Sequence, residues 1–122
     1  MLALMLCAGL AGHARADSEV YELRTYVANE GKLNALHARF RDHTLALFEK
    51  HGMRNVAYWT PTGQPDTLIY LIAHRSEAAA RASWKAFVDD PEWQSAYNAS
   101  IADGRLVKEI ESVFMTRTAY SP

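Results

Sequence analysis

The fold of this chain is decided by two stretches of its sequence, YELRTY at residues 21–26 and HGMRNVAYW at residues 51–59. Both are rich in the β-branched and aromatic residues that favour strands. Between them, one helical stripe recurs at three- and four-residue steps, at Leu33, Leu36, Phe40, His43, Leu47 and His51. Asn29 is a plausible N-cap, and Gly52 ends the helix because glycine adopts the left-handed conformation cheaply. The region therefore predicts strand, helix, strand.

The rest of the chain repeats this unit. Residues 67–74 form the most strongly β-forming run, and a helix is expected to begin at Ser76. Asp90 and Pro91 have the pattern of an N-cap followed by the first helical position, which predicts a restarted helix that stops at Gly104. Residues 110–118 supply the last strand. The order β, α, β, β, broken α, β predicts class α+β, with the ferredoxin-like plan of an antiparallel sheet covered by helices.

The two faces of the predicted sheet lead to an expectation about assembly. In the first strand, the residues expected to face the helices are Tyr21, Leu23, Thr25 and Val27. The strand at residues 67–74 has apolar side chains on both faces, so its second face also needs cover. Because large exposed apolar patches are uncommon on monomers, the sequence predicts a homodimer that closes a barrel face to face.

Length and charge exclude several classes of function. A chain of 122 residues corresponds to one domain with a single core. Its 13 Lys and Arg residues balance 14 Asp and Glu residues, and neither sign forms a block. Because nucleic-acid and anionic-membrane binders usually carry a basic patch, neither partner is expected.

The first sixteen residues resemble a secretory leader. Residues 2–12 are almost wholly apolar, and Ala14 and Ala16 form a small-x-small cleavage pattern around Arg15. Cleavage near Ala16 would leave a mature domain at residues 17–122, periplasmic or secreted, without a transmembrane segment; the alternative is a cytoplasmic chain. The only cysteine, Cys7, would be removed, so disulfides and thiolate sites are not expected.

Eight segments of the chain resemble the NIPSNAP family, from about residue 21 to residue 122. They are residues 21–26, 31–33, 48–53, 58–59, 71–74, 83–84, 90–94 and 120–122. The resemblance implies a dimeric α+β barrel whose bacterial members mostly have no assigned reaction. Mitochondrial relatives are linked to protein interaction, but the single domain and the apparent leader argue against carrying that role over.

Candidate ligand-pocket residues lie on the predicted strands and on the first helix. Glu22, Arg24 and Tyr26 share one face of the first strand, where a Glu–Arg pair facing the barrel interior could hold a polar ligand group. The alternative is a cross-strand or intersubunit salt bridge. Three residues near the ends of strands could line the mouth of a pocket, and packing in the core is the alternative. They are Trp59, Tyr70 and His74.

His43 is the candidate catalytic base, because it lies on the apolar stripe between Phe40 and Leu47 and is expected to point towards the sheet. A core or dimer-contact histidine is the alternative. No H-x-H or H-x-x-x-H spacing is present, so a metal site is not expected.

Three functions remain open from the sequence. The first is a homodimeric module that holds a small hydrophobic or aromatic compound, or another protein, without converting it, and no cofactor is expected for it. The second, by analogy of fold alone, is a cofactor-free oxygenase or isomerase with His43 as base. The third is haem binding through His43 or His74.

Overall fold

The computed structural model describes residues 19–122, and the predicted leader and its cleavage site lie outside them. In chain order the elements are β1 (Val20–Ala28), α1 (Leu33–Arg39), a π-helical segment (Phe40–Thr44), α2 (Leu45–Lys50), β2 (Arg54–Trp59), β3 (Thr67–His74), α3 (Glu77–Asp89), α4 (Pro91–Ser100) and β4 (Val107–Met115). This order confirms the predicted sequence of elements. The last strand starts and ends three residues earlier than predicted.

The four strands form one antiparallel sheet in the order β2-β3-β1-β4. The two central strands, β1 and β3, come from different halves of the chain, which is the strand arrangement of the ferredoxin-like plan. In the register, Leu23 pairs with Leu71 of β3 and with Val113 of β4. Side chains of directly paired residues point to the same face of a sheet, so the register assigns a face to each strand residue.

The helices cover the face that contains Glu22, Tyr26 and Tyr70. The core on this face is apolar and rich in aromatic residues: Tyr26, Ala28, Leu36, Phe40, Leu47, Phe48, Met53, Leu68, Tyr70, Ile72, Phe87 and Leu106. The prediction that Tyr21, Leu23, Thr25 and Val27 face the helices is therefore wrong. The alternation of side chains in β1 predicted that its charged residues face away from the helices. Glu22 is instead 1% exposed beneath the helices and pairs with partners from three other elements.

The opposite face of the sheet has no helix over it among the described residues. Val113 and Trp59 on this face remain 53% and 50% exposed, and they lie in the same surface as the half-buried Leu23, Ile69 and Leu71. The structure thus contains the uncovered apolar sheet face on which the dimer prediction depends.

The first helix departs from uniform α geometry in its middle. The π-helical segment Phe40–Thr44 has a wider turn, and the Thr44 hydroxyl donates to the Arg39 carbonyl five residues earlier at 3.2 Å. Because of this wider turn, residues four apart, Leu36, Phe40, Thr44 and Phe48, all stay buried on one side. His43 is rotated to the exposed surface as a result.

The predicted helix start at Ser76 and the predicted N-cap at Asp90 are confirmed, and the predicted N-cap at Asn29 is wrong. Ser76 accepts a hydrogen bond from the Ala79 amide at 3.0 Å and begins α3, as predicted. Asp90 begins α4 by accepting from the Glu92 amide at 2.9 Å. Asn29 is not an N-cap, because α1 starts after Lys32 and the Asn29 side chain instead donates to the Arg105 carbonyl at 2.9 Å.

Asp90 also links the start of α4 to the end of the first helix through contacts with Lys50 and His51. Its Oδ2 atom lies 2.7 Å from the Lys50 ammonium and 2.7 Å from His51 Nε2. These contacts lower the pKa of Asp90 well below its usual range, first through the Lys50 hydrogen bond and then through those of His51 and the Glu92 amide. At Gly52 the φ angle is +83°, so glycine provides the predicted stop directly after this junction. The junction holds α4 in place, and α4 forms one wall of the site described next.

Candidate functional site

A buried carboxylate, Glu22, organises the space between the sheet and α3. Its Oε1 atom accepts from Trp84 Nε1 at 2.8 Å and lies 2.8 Å from His74 Nε2. Its Oε2 atom accepts from Arg24 Nη1 and from the Ser112 hydroxyl, both at 2.7 Å. One side chain of β1 therefore joins β3, β4 and α3.

The environment keeps Glu22 ionised. Burial alone would raise the pKa of Glu22, but hydrogen bonds from His74, Ser112, Trp84 and Arg24 together outweigh burial and lower it to about 2. Because a general base works best when its pKa is near the working pH, a carboxylate of this kind is a weak base. Glu22 is suited to holding its four donors in place, and unsuited to transferring protons.

Arg24 extends this network to two tyrosines. Its Nη2 atom lies 3.4 Å from the Tyr26 hydroxyl, which also accepts from the Tyr70 hydroxyl at 3.0 Å, and its guanidinium lies 4.3 Å from the Trp84 ring centroid. Burial opposes the charge of Arg24, but Tyr26, Tyr70 and the hydrogen bond to Glu22 more than offset it and raise its pKa. Burial first, and then Tyr26, raise the pKa of Tyr70 well above its ordinary value, so Tyr70 stays neutral.

His74 lies at the far end of the network. Because the ionised Glu22 is an acceptor only, His74 Nε2 carries the proton of the 2.8 Å contact. Its Nδ1 atom is buried and has no hydrogen-bond partner among residues 19–122. The ring lies 6.0 Å from that of Phe114, which is 45% exposed.

Next to this network, a cleft of about 370 Å³ opens between α4 and the start of β4. We call it the α4–β4 cleft; its lining residues are Tyr26, Arg39, Trp93, Tyr97 and residues 105–110. Arg39 is 6% exposed and makes no ion pair with any carboxylate of residues 19–122. A cleft of this size lies near the lower end of the range of small-molecule sites, about 300–1,000 Å³.

The residues predicted from sequence fall into two groups. Five of them, Glu22, Arg24, Tyr26, Tyr70 and His74, are brought together in the single network beneath the helices. The expectation that the Glu22–Arg24 pair faces a barrel interior is wrong, because the pair lies on the helix-covered face. The alternative, a salt bridge, is the form observed, but within one strand at 2.7 Å.

The other two predicted residues lie elsewhere. His43 is exposed and borders a shallow groove between the first helix and α4, so the expectation that it points towards the sheet is wrong. Trp59 is half exposed and lines a separate groove with His37 and Leu45. Neither residue contacts the Glu22 network.

Sequence reasoning did not identify three residues of the cleft, Arg39, Trp93 and Tyr97. A signal for Arg39 existed, because it follows Leu36 by three residues and precedes Phe40 on the buried stripe of the helix. The predicted stripe contained Phe40 but not Arg39. The partly exposed state of Trp93 and Tyr97 depends on how α4 packs against the first helix and α3, which no local pattern records.

Two kinds of feature are absent from residues 19–122. No group of three His, Cys, Asp or Glu side chains in this region is arranged to hold a metal ion. In the same region, no helix has the length and apolar character needed to cross a bilayer.

Comparison with known proteins agrees with this architecture. The sequence matches the NIPSNAP family over residues 21–122, while no curated protein matches. An uncharacterized NIPSNAP-like domain protein from Burkholderia xenovorans is similar at 17% identity with a TM-score of 0.74, covering 87% of this chain and 90% of that chain. A NIPSNAP family protein of unknown function from Agrobacterium tumefaciens is similar at 23% identity and a TM-score of 0.74, covering 87% and 94%.

A more distant solved structure has the same fold. It is a putative antibiotic biosynthesis monooxygenase from Bacteroides thetaiotaomicron, with 15% identity, a TM-score of 0.60 and coverage of 88% of this chain and 94% of that chain. At this identity the likeness concerns the fold alone. The family match, by contrast, covers most of the chain, and its solved members have the four-stranded α+β architecture described above. The chain belongs to the NIPSNAP family.

Proposed function

We propose that this protein is a homodimeric binding module that holds a small ligand in the α4–β4 cleft. The observation that carries the proposal is Arg39, a buried cation at the wall of the cleft that has no carboxylate partner among residues 19–122. Buried charges in proteins are normally paired, because an isolated charge loses its hydration without compensation. An unpaired buried arginine beside a cleft is therefore best explained by a ligand that completes it.

The remaining walls support the same function. Trp93, Tyr97 and Ile110 supply aromatic and apolar surface, while four of the ten lining residues are charged. Such a mixed lining suits a ligand that has both a polar group and an apolar body. Hydrogen bonds from Arg24 and Tyr70, which belong to the Glu22 network, fix the position of Tyr26. The cleft is therefore formed before a ligand arrives.

The uncovered sheet face supports the dimeric part of the proposal. An apolar face that includes Leu23, Leu71 and Val113 would be shielded if a second copy of the chain packed against it. A protein partner at the same face is the alternative. The proposal also keeps an exported mature chain at residues 17–122, which depends on the leader pattern in the sequence.

The two other functions have less support from the geometry. An oxygenase or isomerase that uses His43 as base would need this residue in an enclosed site, but its side chain is exposed at the groove between the first helix and α4. Haem ligation by His74 would have to break its contact with Glu22 or use a buried Nδ1 atom. The α4–β4 cleft requires no such rearrangement.

The three tryptophans allow a direct test of where ligands bind. Trp93 lines the α4–β4 cleft, Trp59 lies in the groove near His37, and Trp84 is hydrogen-bonded to Glu22. Each indole N–H gives one signal in a proton–nitrogen correlation spectrum, which a Trp→Phe variant assigns. We expect a panel of small acids, amides and alcohols to shift the Trp93 signal saturably while the Trp59 signal stays in place. Shifts of Trp59 alone, or no saturable shift, would refute the proposed site.

A further inference from the structure

The position of Arg39 in the fold is unusual for a charged side chain. It follows Leu36 by one helical turn and directly precedes Phe40, so the aliphatic part of its side chain lies beside the hydrophobic core. Burial lowers the pKa of Arg39. Because the ordinary value is so high, the guanidinium nevertheless stays charged at every physiological pH.

Most of the hydrogen-bonding capacity of this guanidinium is unused. The Nη1 atom donates to the Ser100 hydroxyl at 3.1 Å, while Nε is buried and has no partner among residues 19–122. Ser100 is neutral and donates its own proton to the Tyr97 carbonyl at 2.7 Å. Arg39 therefore lacks a negative acceptor in the part of the chain that the structure describes.

Aromatic contacts compensate the charge only in part. The guanidinium carbon lies 5.3 Å from the Trp93 ring centroid and 5.2 Å from that of Tyr97. Cation–π contacts of this kind attract the charge but accept no hydrogen bond in the guanidinium plane. The in-plane N–H groups still need oxygen acceptors.

The surroundings favour an anion. Arg105 and Lys108 are exposed at the cleft wall, and Glu109 is the one acidic residue that lines it. Glu109 pairs with Val27 in the sheet register, so its side chain points to the uncovered face of the sheet and away from the cleft. Tyr26 also lines the cleft, and its hydroxyl accepts from Arg24 and Tyr70 and still has a proton to donate.

We propose that the α4–β4 cleft selects small organic acids, whose carboxylate is held by Arg39 and whose apolar or aromatic body lies against Trp93 and Tyr97. A guanidinium presents its N–H groups as a planar fork that matches the two oxygens of a carboxylate. This inference rests on the proposed function, and it adds the chemical class of the ligand.

The experiment titrates a matched pair of probes, 3-phenylpropionate and the neutral 3-phenylpropanamide, by calorimetry and by the Trp93 indole signal. We expect the acid to bind at least roughly 10-fold more tightly than the amide, and Arg39→Gln to remove a preference of roughly 10- to 100-fold. Arg39→Lys should keep part of it. Arg81→Gln removes an exposed arginine that does not line the α4–β4 cleft and serves as the charge-matched control.

Thermal unfolding of the free protein separates a ligand-binding arginine from a structural one. Arg39→Gln removes a buried charge without a carboxylate partner, so the melting temperature should stay the same or rise. A large drop in melting temperature, together with unchanged binding of the acid, would show that Arg39 has only a structural role and would overturn the inference.

The remaining outcomes separate the ligand class from the site. If acid and amide shift Trp93 with equal affinity, the cleft is a ligand site and the carboxylate assignment is wrong. If inorganic phosphate binds as tightly as 3-phenylpropionate, the site takes anions in general, and selection of organic acids is overturned. If neither probe shifts Trp93, both the inference and the proposed function fail.

Discussion

At the scale of single residues, the structure depends on charges that are buried in pairs. Glu22 is 1% exposed, yet four donors satisfy it, and three of them come from residues 52, 62 and 90 positions away. Replacing both members of a buried ion pair by apolar residues can leave stability unchanged, but removing one member leaves the other charge buried without a partner. Glu22 and Arg24 are therefore interdependent, whereas Arg39 has no such partner among residues 19–122.

Glu22→Gln tests this interdependence. The amide keeps the size of the side chain but removes the charge and places an N–H₂ group against donors, so Arg24 is left without its counter-ion. We expect a loss of about 3–5 kcal/mol in the free energy of unfolding, measured by urea denaturation. Glu30→Gln, at an exposed loop position, should change it by less than about 0.5 kcal/mol. Equal effects for the two variants would contradict the account.

The pH dependence of stability provides a second test at the same residue. The pKa of Glu22 is lowered from 4.5 to about 2 in the folded chain, so the unfolded chain binds a proton at Glu22 first as the pH falls. Its contribution is fully present above about pH 4.5 and is lost as the pH falls towards about 2. Urea midpoints should therefore fall more steeply with acidification in the wild type than in Glu22→Gln. Parallel curves for the two proteins would show that Glu22 is not responsible.

At the scale of elements, stability and position depend on caps and on one irregular turn. Ser76 and Asp90 begin α3 and α4 through side-chain hydrogen bonds to amides of the first turn. The π-helical segment Phe40–Thr44 keeps Phe40 and Phe48 on one buried face and rotates His43 outward. The helix ends thus fix the walls of the α4–β4 cleft, and the irregular turn determines which side chains of the first helix point inward.

Two serine substitutions should have opposite effects on stability. Ser76→Ala removes the acceptor of the Ala79 amide and should lower the free energy of unfolding by about 1 kcal/mol. Ser95→Ala lies at an exposed position inside α4, where alanine has the higher helix propensity, and should raise it by up to about 0.5 kcal/mol. Chemical denaturation measures both. A stabilising effect of Ser76→Ala would be inconsistent with the cap.

Sequence reasoning was successful where the signal is local. The strand at residues 67–74, the caps at Ser76 and Asp90 and the stop at Gly52 each depend on residue types within one or two turns. The faces of β1 were assigned the wrong way round, because Glu22 reads as a surface residue until its distant partners are known. His43 was misplaced because a uniform periodicity cannot anticipate a π-helical turn.

The candidate site was harder to predict than the fold. Five predicted residues do meet in one network, but the cleft beside it is built around Arg39, whose burial depends on the packing of α4 against the first helix. A charged residue on an apolar stripe is usually taken as a break in the stripe. Here it is a position where a buried charge has no carboxylate partner within residues 19–122, and such local inconsistencies are expected at functional sites.

At the scale of the whole molecule, residues 19–122 form a sheet that carries its helices on one side. The uncovered face contains Leu23, Leu71 and Val113, and it is the surface on which the proposed homodimer depends. Two copies packed face to face would enclose these side chains and leave both α4–β4 clefts on the outer, helical sides. Ligand binding and dimerisation would then use opposite faces of the same sheet.

The molar mass of two matched variants in solution, measured by light scattering coupled to size exclusion, tests this claim most directly. Val113 on the uncovered sheet face and Val88 on α3 are the same residue type and are both 53% exposed. Lysine at either site therefore replaces an equal amount of apolar surface. We predict twice the mass of one chain for the wild type and for Val88→Lys, and the mass of one folded chain for Val113→Lys. A wild-type protein of single-chain mass, or a Val113→Lys variant that remains dimeric, would contradict the account.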